Sequence, residues 1–335
     1  MNRSVLVTGG AGYIGSHTCK ALAQAGFTPV AFDNLTLGSA EFVKWGPLVV
    51  GDTRKSEQVA AAIRDHDVQA VIHFAALSSV GDSGRQPSAY YGNNVGGLIS
   101  LLDAMVETGC EAIVFSSTAA VYGEPDQVPI SEDAATRPVN VYGHSKLMCE
   151  QILRDHSAAG LLRAISLRYF NASGADPHSE IGEFREAETH LIPRAMMALQ
   201  GYVGDFQIYG ADFPTPDGTA IRDYIHVCDL AHAHVLAAEA LLRGEAGGEF
   251  NLGTGEGYSV GEILREIRRA TGRDLSTPTG ARRVGDPARL VADPTLAIDR
   301  LGFVTKHSSL ENIISTAWRW HQRAHPLRND GPSGS

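Results

Sequence analysis

The sequence predicts an α/β fold, a doubly wound parallel sheet with a smaller α/β lobe interleaved along the chain. Three observations lead there. Short apolar runs alternate with amphipathic stretches through the first half. A glycine-rich turn joins the first run to the first amphipathic stretch, and an aspartate closes the second run.

Taken in order, Ser4–Thr8 is an apolar, β-branched run of buried-strand length, and Ile14–Gln24 carries apolar residues at helical spacing. Strands are expected at Thr28–Phe32 and Leu48–Val50, a helix at Ser56–Asp65 and a strand at Ala70–Phe74. A helix from about Asn93 to Glu107, a strand at Ala112–Ser116, a helix over Tyr142–Ala158 and a strand at Ala164–Tyr169 complete the series. After Phe170 the texture becomes polar and loop-like, before a helix at Leu191–Gln200 and a strand at Phe206–Tyr209. Asp223–Val227 and the alanine-rich stretch after Asp229 return to the earlier pattern. The expected division is a large domain over 1–170 plus about 222–250, a smaller lobe over about 171–221 plus 251–328, and a flexible tail over 329–335.

The 335 residues are 43% hydrophobic and 20% charged, which excludes a mainly disordered chain. With 28 Lys+Arg against 38 Asp+Glu the net charge is −10, which argues against a general nucleic-acid binder. No apolar run is long enough to span a membrane, and the first strand begins too early to leave room for a signal peptide. Cys19, Cys110, Cys149 and Cys228 are far apart and show no metal-ligand spacing. The expectation is a cytoplasmic protein without a metal.

Gly9-Gly10-Ala11-Gly12-Tyr13-Ile14-Gly15 follows the first strand and opens the first helix, the position of a Rossmann-type dinucleotide fingerprint. Glycines there let the backbone turn tightly and approach a pyrophosphate, and the helix start offers free N–H groups. Asp33, at the end of the second strand, can accept hydrogen bonds from an adenosine ribose and repels a 2′-phosphate. No arginine follows in Asn34-Leu35-Thr36, so NAD is expected over NADP. Tyr142 and Lys146 are four apart on one helix face. A neighbouring ammonium favours phenolate, so such a tyrosine can take a proton from an alcohol while hydride leaves the same carbon. Ser116, Ser117 and Thr118 supply hydroxyls at the end of the preceding strand.

With Phe74-Ala75-Ala76-Leu77, Tyr91-Gly92-Asn93-Asn94-Val95, Leu167-Arg168-Tyr169-Phe170-Asn171, the stretch from Asp217 to Val227 and Asn251-Leu252-Gly253-Thr254-Gly255, the chain resembles the extended short-chain dehydrogenase/reductase family, in its branch of UDP-hexose 4-epimerases. The resemblance covers about residues 3–325. It implies NAD-dependent interconversion of UDP-glucose and UDP-galactose, with Tyr142, Lys146 and Thr118 catalytic. For the cofactor it implies Gly9, Gly12, Tyr13, Ile14 and Gly15 at the pyrophosphate, and Asp33, Asn34, Leu35, Thr36 and Gly38 around the adenosine ribose. Asp52 and Thr53 would flank the adenine. Phe74, Ala75, Ala76, Leu77, Asn94, Ser116, Tyr142, Lys146 and Phe170 would surround the nicotinamide half. A lysine usual in the family after Phe-Ala-x-Leu is replaced by Ser78.

For the UDP-sugar the resemblance implies Thr118, Asn171, His190, Leu191, Gln207, Ile208, Tyr209, Arg222, Arg283 and Asp286. The two arginines offer forked donors to a diphosphate. Leu290 stands where some relatives carry a bulky tyrosine, so N-acetylated hexoses are candidate substrates beside pentoses. The resemblance further implies a homodimer through the helices near Asn93–Glu107 and Tyr142–Ala158, with Leu98, Leu101, Leu102 and Met105 either in that interface or in the core. A dehydratase of the same fold would need an acid and a base after Thr118, where this chain has Ala119-Ala120. A net reductase would exchange its cofactor each turnover, and a non-catalytic sugar-nucleotide sensor would not need Thr118, Tyr142 and Lys146.

Overall fold

The computed structural model describes residues 3–185, 188–283 and 286–325; the expected tail at 329–335 lies outside them. The first half contains β1 (Arg3–Thr8), α1 (Tyr13–Gln24), β2 (Phe27–Asp33), β3 (Leu48–Val50), α2 (Ser56–Asp65) and β4 (Val68–His73). The short α3 (Val80–Ser83) and α4 (Pro87–Tyr90), then α5 (Gly96–Thr108), β5 (Ala112–Thr118), α6 (Val141–Ala158) and β6 (Arg163–Tyr169), follow. The second half holds β7 (Asn171–Ser173), α7 (Leu191–Leu199), β8 (Ile208–Tyr209), β9 (Ile221–Arg222), β10 (Tyr224–His226), α8 (Val227–Leu242) and β11 (Gly248–Leu252). After these come β12 (Tyr258–Ser259), α9 (Val260–Thr271), β13 (Thr279–Gly280), β14 (Arg289–Leu290), α10 (Thr295–Leu301) and α11 (Leu310–Ala324).

Seven parallel strands form the main sheet in the order β3-β2-β1-β4-β5-β6-β11. Its strands are apolar on both faces because helices cover both. Val5 and Val7 of β1 pack with Cys19 and Leu22 of α1 and Leu230 of α8, whereas Leu6 faces Ile63 of α2, Leu101 of α5 and Leu153 of α6. The strand order reverses between β1 and β4, so their C-terminal ends splay apart and open the crevice where such folds bind ligands. A separate apolar cluster joins α7, α9 and α11 through Ile192, Met196, Ile263, Ile267, Ile313 and Trp318. α9 starts on a capping box between Ser259 and Glu262 and ends on Gly272 at φ +66°.

Several details differ from the sequence reading. A π-helical turn occupies Tyr91–Val95, so α5 proper begins at Gly96 and the Asn94 side chain is buried. β5 runs two residues further, to Thr118, and β8 spans only Ile208 and Tyr209. β11 carries the chain in the main sheet past residue 250, and Ala297 and Phe303 return to the core beside α8. Leu98, Leu101, Leu102 and Met105 are fully buried core residues; on α5 it is Ile99 and Val106 that face outward. Among the described residues no helix is long and apolar enough to cross a membrane, and all four cysteines are free thiols.

Candidate active site

The glycine turn lies at the crevice because β1 ends there. Gly9 sits at φ +72°, and a Cβ on it would come within 2.8 Å of the Ala75 backbone nitrogen. The turn is thus pressed against the Phe74–Leu77 segment after β4. Gly15 packs on the same turn: its Cβ would lie 2.1 Å from the Gly9 carbonyl oxygen. Gly12 occupies the N-cap of α1, offers no capping side chain, and is followed by no acidic residue in the first turn. That leaves first-turn N–H groups and the positive helix end for a phosphate.

Asp33 is buried at the end of β2, accepting from Ala11 N at 3.0 Å and Leu35 N at 2.9 Å. A carboxylate has about four acceptor positions, so two remain for ribose hydroxyls. Leu35 holds φ +58° and Asn34 accepts from Thr36 N, which folds the segment back, and Gly38 lies against Ala11 and Asp33. This geometry fits an adenine dinucleotide. Further along, Asp52 pairs with Arg54, which holds its carboxyl down to about 2, and Thr53 is buried against Gly97. Tyr13 turns its hydroxyl onto the Gly174 carbonyl at 2.6 Å, leaving its backbone for a phosphate, while Ile14 packs on the core. Asn94 accepts from Leu77 N at 2.8 Å and donates to Leu77 O and Ser145 Oγ, both at 3.0 Å, so it ties the Phe74–Leu77 segment to α6.

Asn140 caps α6 by accepting from Gly143 N at 2.8 Å, and helical spacing then places Tyr142 and Lys146 on one buried face. The Lys146 Nζ donates to the Ser116 carbonyl at 2.7 Å and lies 4.7 Å from the Phe115 ring centre. The Ser116 hydroxyl is bonded to the Tyr169 hydroxyl. The Thr118 side chain, at the end of β5, acts on the Tyr142 phenol. Burial pushes that phenol above the usual tyrosine range, Tyr169 adds to the rise, and Thr118 and Arg185 oppose it. The expected lowering by a neighbouring ammonium is therefore corrected: in the chain alone desolvation outweighs charge. Lys146 is itself pushed down to about 8 by burial, against support from Cys149 and Glu150.

The substrate-side residues fall into three groups. Arg222 donates to the Ile221 carbonyl at 2.8 Å and forms an ion pair with Asp286, and β14 beside β9 sets Leu290 opposite Arg222. Leu290 and Phe170 each pack against the buried cluster of Val121, Tyr122 and Ile130, and Asn171 N donates to the Asp223 carbonyl at 2.9 Å. In the second group the Arg283 guanidinium stacks 4.2 Å over the Tyr209 ring, whose phenol is drawn below its usual range first by Gln207. Ile208 is tied to Pro278 by a backbone bond of 2.8 Å. In the third, His190 stands at the N-cap position of α7 ahead of Leu191 without a side-chain capping bond, and its Nδ1 lies 2.6 Å from Glu183, which holds the imidazole above its usual range. Potential ligand atoms of Glu183, Glu188 and His190 lie within 4.8 Å of one another. Glu188 is already bonded to the N–H groups of Thr189 and His190, so the group is knitted internally.

Three residues escaped the sequence reading. Arg185, in the segment read as plain loop, exerts its charge on both Tyr142 and Tyr169. Asp223 is fully buried and accepts from the N–H groups of Thr254, Gly255 and Ala292, anchoring the loops after β11 and β14. Glu150 lies one turn beyond Lys146 on the same face of α6, in the pattern Tyr142-x-x-x-Lys146-x-x-x-Glu150.

Residues 5–253 match the model of the NAD dependent epimerase/dehydratase family. A UDP-glucose 4-epimerase of Rhizobium meliloti is 47% identical over 330 residues, covering 98% of this chain and 99% of its own length. The crystal structure of UDP-glucose 4-epimerase from Brucella ovis in complex with NAD superposes with a TM-score of 0.93 at 51% identity, over 95% of this chain and 98% of that one. The enzyme from Stenotrophomonas maltophila, with bound NAD and formylated UDP-arabinopyranose, gives a TM-score of 0.93 at 41% identity, over 96% and 98%.

Proposed function

Because the chain belongs to the NAD-dependent epimerase/dehydratase family, we propose that it interconverts UDP-glucose and UDP-galactose through a transient 4-keto sugar, retaining NAD throughout. The observation that carries this reading is the buried Tyr142 phenol, on the helix face it shares with Lys146 and beside Thr118 at the strand end by the nucleotide crevice. When bound, NAD⁺ supplies a hydride acceptor that becomes a donor, and a positive ring charge that favours phenolate.

The chain's own residues do the rest. The uncapped α1 terminus holds the pyrophosphate, Asp33 the adenosine ribose and Lys146 the nicotinamide ribose. The Tyr142 oxygen takes the proton of the sugar 4-hydroxyl while hydride leaves the same carbon, and it gives the proton back when hydride returns to the opposite face. Thr118 steadies both oxygens. Arg222, freed from Asp286, and Arg283 grip the diphosphate, so the nucleotide supplies binding energy while the hexose turns over between faces. The smaller lobe carries this grip and the larger domain the cofactor. Ala119 and Ala120 offer no proton for loss of water, which disfavours a dehydratase.

Incubating the purified chain with UDP-galactose, without added NAD, is expected to yield UDP-glucose; no conversion overturns the reading. Leu290 gives an apolar wall smaller than tyrosine on the cluster that Phe170 also packs against, which supports side activity on UDP-N-acetylgalactosamine, measured in the same assay with UDP-xylose alongside. We place the enzyme in the cytoplasm, supported by four free thiols. A homodimer through α5 and α6 is supported by exposed Ile99, Val106 and Met148 on those helices. Sedimentation is expected to give a dimer that Met148→Glu dissociates; a wild-type monomer at micromolar concentration overturns it.

A further inference from the structure

Three consecutive residues of β5 each engage one of three α6 residues spaced by four. Thr118 acts on the Tyr142 phenol, the Ser116 carbonyl accepts from Lys146 at 2.7 Å, and Ser117 Oγ donates to Glu150 at 2.5 Å. Glu150 is fully buried. Arg154, one turn on along α6, stands 3.8 Å from Glu150, whose hydrogen-bonded arginine is Arg168 of β6, opposite Ser117 in the strand register. Arg168 forks onto the carboxylate, Nε to Oε1 at 2.9 Å and Nη2 to Oε2 at 2.7 Å, and also donates to the Tyr122 hydroxyl at 3.0 Å. Tyr122 in turn donates to Asn251 of β11 at 2.7 Å. One buried carboxylate therefore sits between the helix carrying the catalytic pair, the strand end carrying Thr118, and two further strands.

We propose that Glu150 is a positioning residue for the reaction, clamping α6 to β5 through Ser117 and to β6 through Arg168 so that Tyr142 and Lys146 meet Thr118 and Ser116 in register. A bidentate guanidinium–carboxylate pair is directional, which suits it to hold a helix face against a sheet. A general base displaced by a fraction of an ångström loses much of its effect. The carboxylate also acts on Lys146 by its charge. Lys146 is acted on by Cys149 and Glu150 of its own helix and by His73 of β4, and its Nζ meets the Ser116 carbonyl and the Phe115 ring of β5. His73 is held neutral by burial, its pKa pushed down to about 3, and Glu150 is the carboxylate whose charge favours the ammonium; losing it would also leave the Arg168 charge unpaired, which acts in the same direction on Lys146.

The inference rests on the epimerase reading, and its test separates the two. Ser117→Ala removes one arm and leaves the ion pair. It is expected to lower kcat by about tenfold with KM unchanged and the alkaline limb of the pH profile in place. Ser117→Thr restores the hydroxyl and most of the rate. Glu150→Gln removes the charge and is expected to move the alkaline limb down by about one pH unit. The sign follows from the charge: without the carboxylate the ammonium loses its proton at lower pH. Lysine ε-carbon NMR of the chain as purified reads the Lys146 titration directly, without any turnover, and is expected to show the same downward shift. Wild-type rates in Ser117→Ala with an unmoved Lys146 titration in Glu150→Gln, whatever the thermal midpoint does, would make the carboxylate merely structural and overturn the proposal. A wild-type chain that converts no UDP-hexose overturns the epimerase reading instead, and the lysine titration still decides the role of Glu150.

Discussion

Tyr142→Phe is expected to lower kcat for UDP-galactose by about 10²- to 10⁴-fold, the range that a positioned proton-transfer group supplies. The substitution removes one oxygen and nothing else. The ring stays buried on its face of α6, the helix keeps its Asn140 cap, and Lys146 keeps its bond to Ser116. NAD and the nucleotide should therefore bind as before, with KM close to wild type and the absorbance of the purified protein showing the same cofactor content. Burial already holds the phenol above its usual range, so the wild-type site works by opposing that cost with Thr118, with the Arg185 charge and with the charge of the bound nicotinamide. Thr118→Ala should accordingly lower kcat less than Tyr142→Phe, since it removes one of several compensating groups. A phenylalanine variant within tenfold of wild type would show that another group moves the proton.

The parts of this molecule that were legible in its sequence are those written in local spacing. The alternation from Ser4 to Tyr169 foretold the sheet because each buried strand is a short apolar run and each covering helix has one apolar face. The glycine turn, Asp33 and the Tyr142–Lys146 pair were readable for the same reason. The capping box at Ser259 and Glu262 ahead of Ile263 and Ile267 is an equally local signal for α9. What could not be read depends on residues far apart in the chain. The return of β11 to pair with β6 joins residues about eighty apart. The Arg222–Asp286 pair and the Ser117–Glu150–Arg168 clamp exist only once the sheet is assembled. The upward push on the Tyr142 phenol comes from burial, which no residue spacing reports. Arg185 acts on that phenol from a segment whose composition reads as solvated loop.

Alanine at Gly12 and at Gly15 is expected to separate the two jobs of the glycine turn. At Gly15 a Cβ would stand 2.1 Å from the Gly9 carbonyl oxygen and 2.9 Å from the Gly10 Cα, so backbone must move. Gly9 has little room to yield, being at φ +72° with its own Cα region close to Ala75. The variant should lose about 1–3 kcal/mol of stability, the usual cost of overpacking, together with its NAD. At Gly12 a Cβ would meet only the Gly9 oxygen, at 3.2 Å, and the backbone there is extended, which alanine adopts freely. Its stability cost is limited to the weaker cap, about 1 kcal/mol. Yet that methyl group would stand at the uncapped start of α1, where a pyrophosphate must come against the backbone. Gly12→Ala is therefore expected to fold with a near-normal thermal midpoint while retaining NAD at least ~10-fold more weakly, a change of about 1.4 kcal/mol in binding. Gly92, with open space around it, is the control position, and its alanine variant should keep both properties. Cofactor content and thermal midpoint measured on the three variants decide the matter: a Gly12→Ala protein that purifies with its full complement of NAD would remove the α1 terminus from the cofactor site, whatever became of Gly15→Ala.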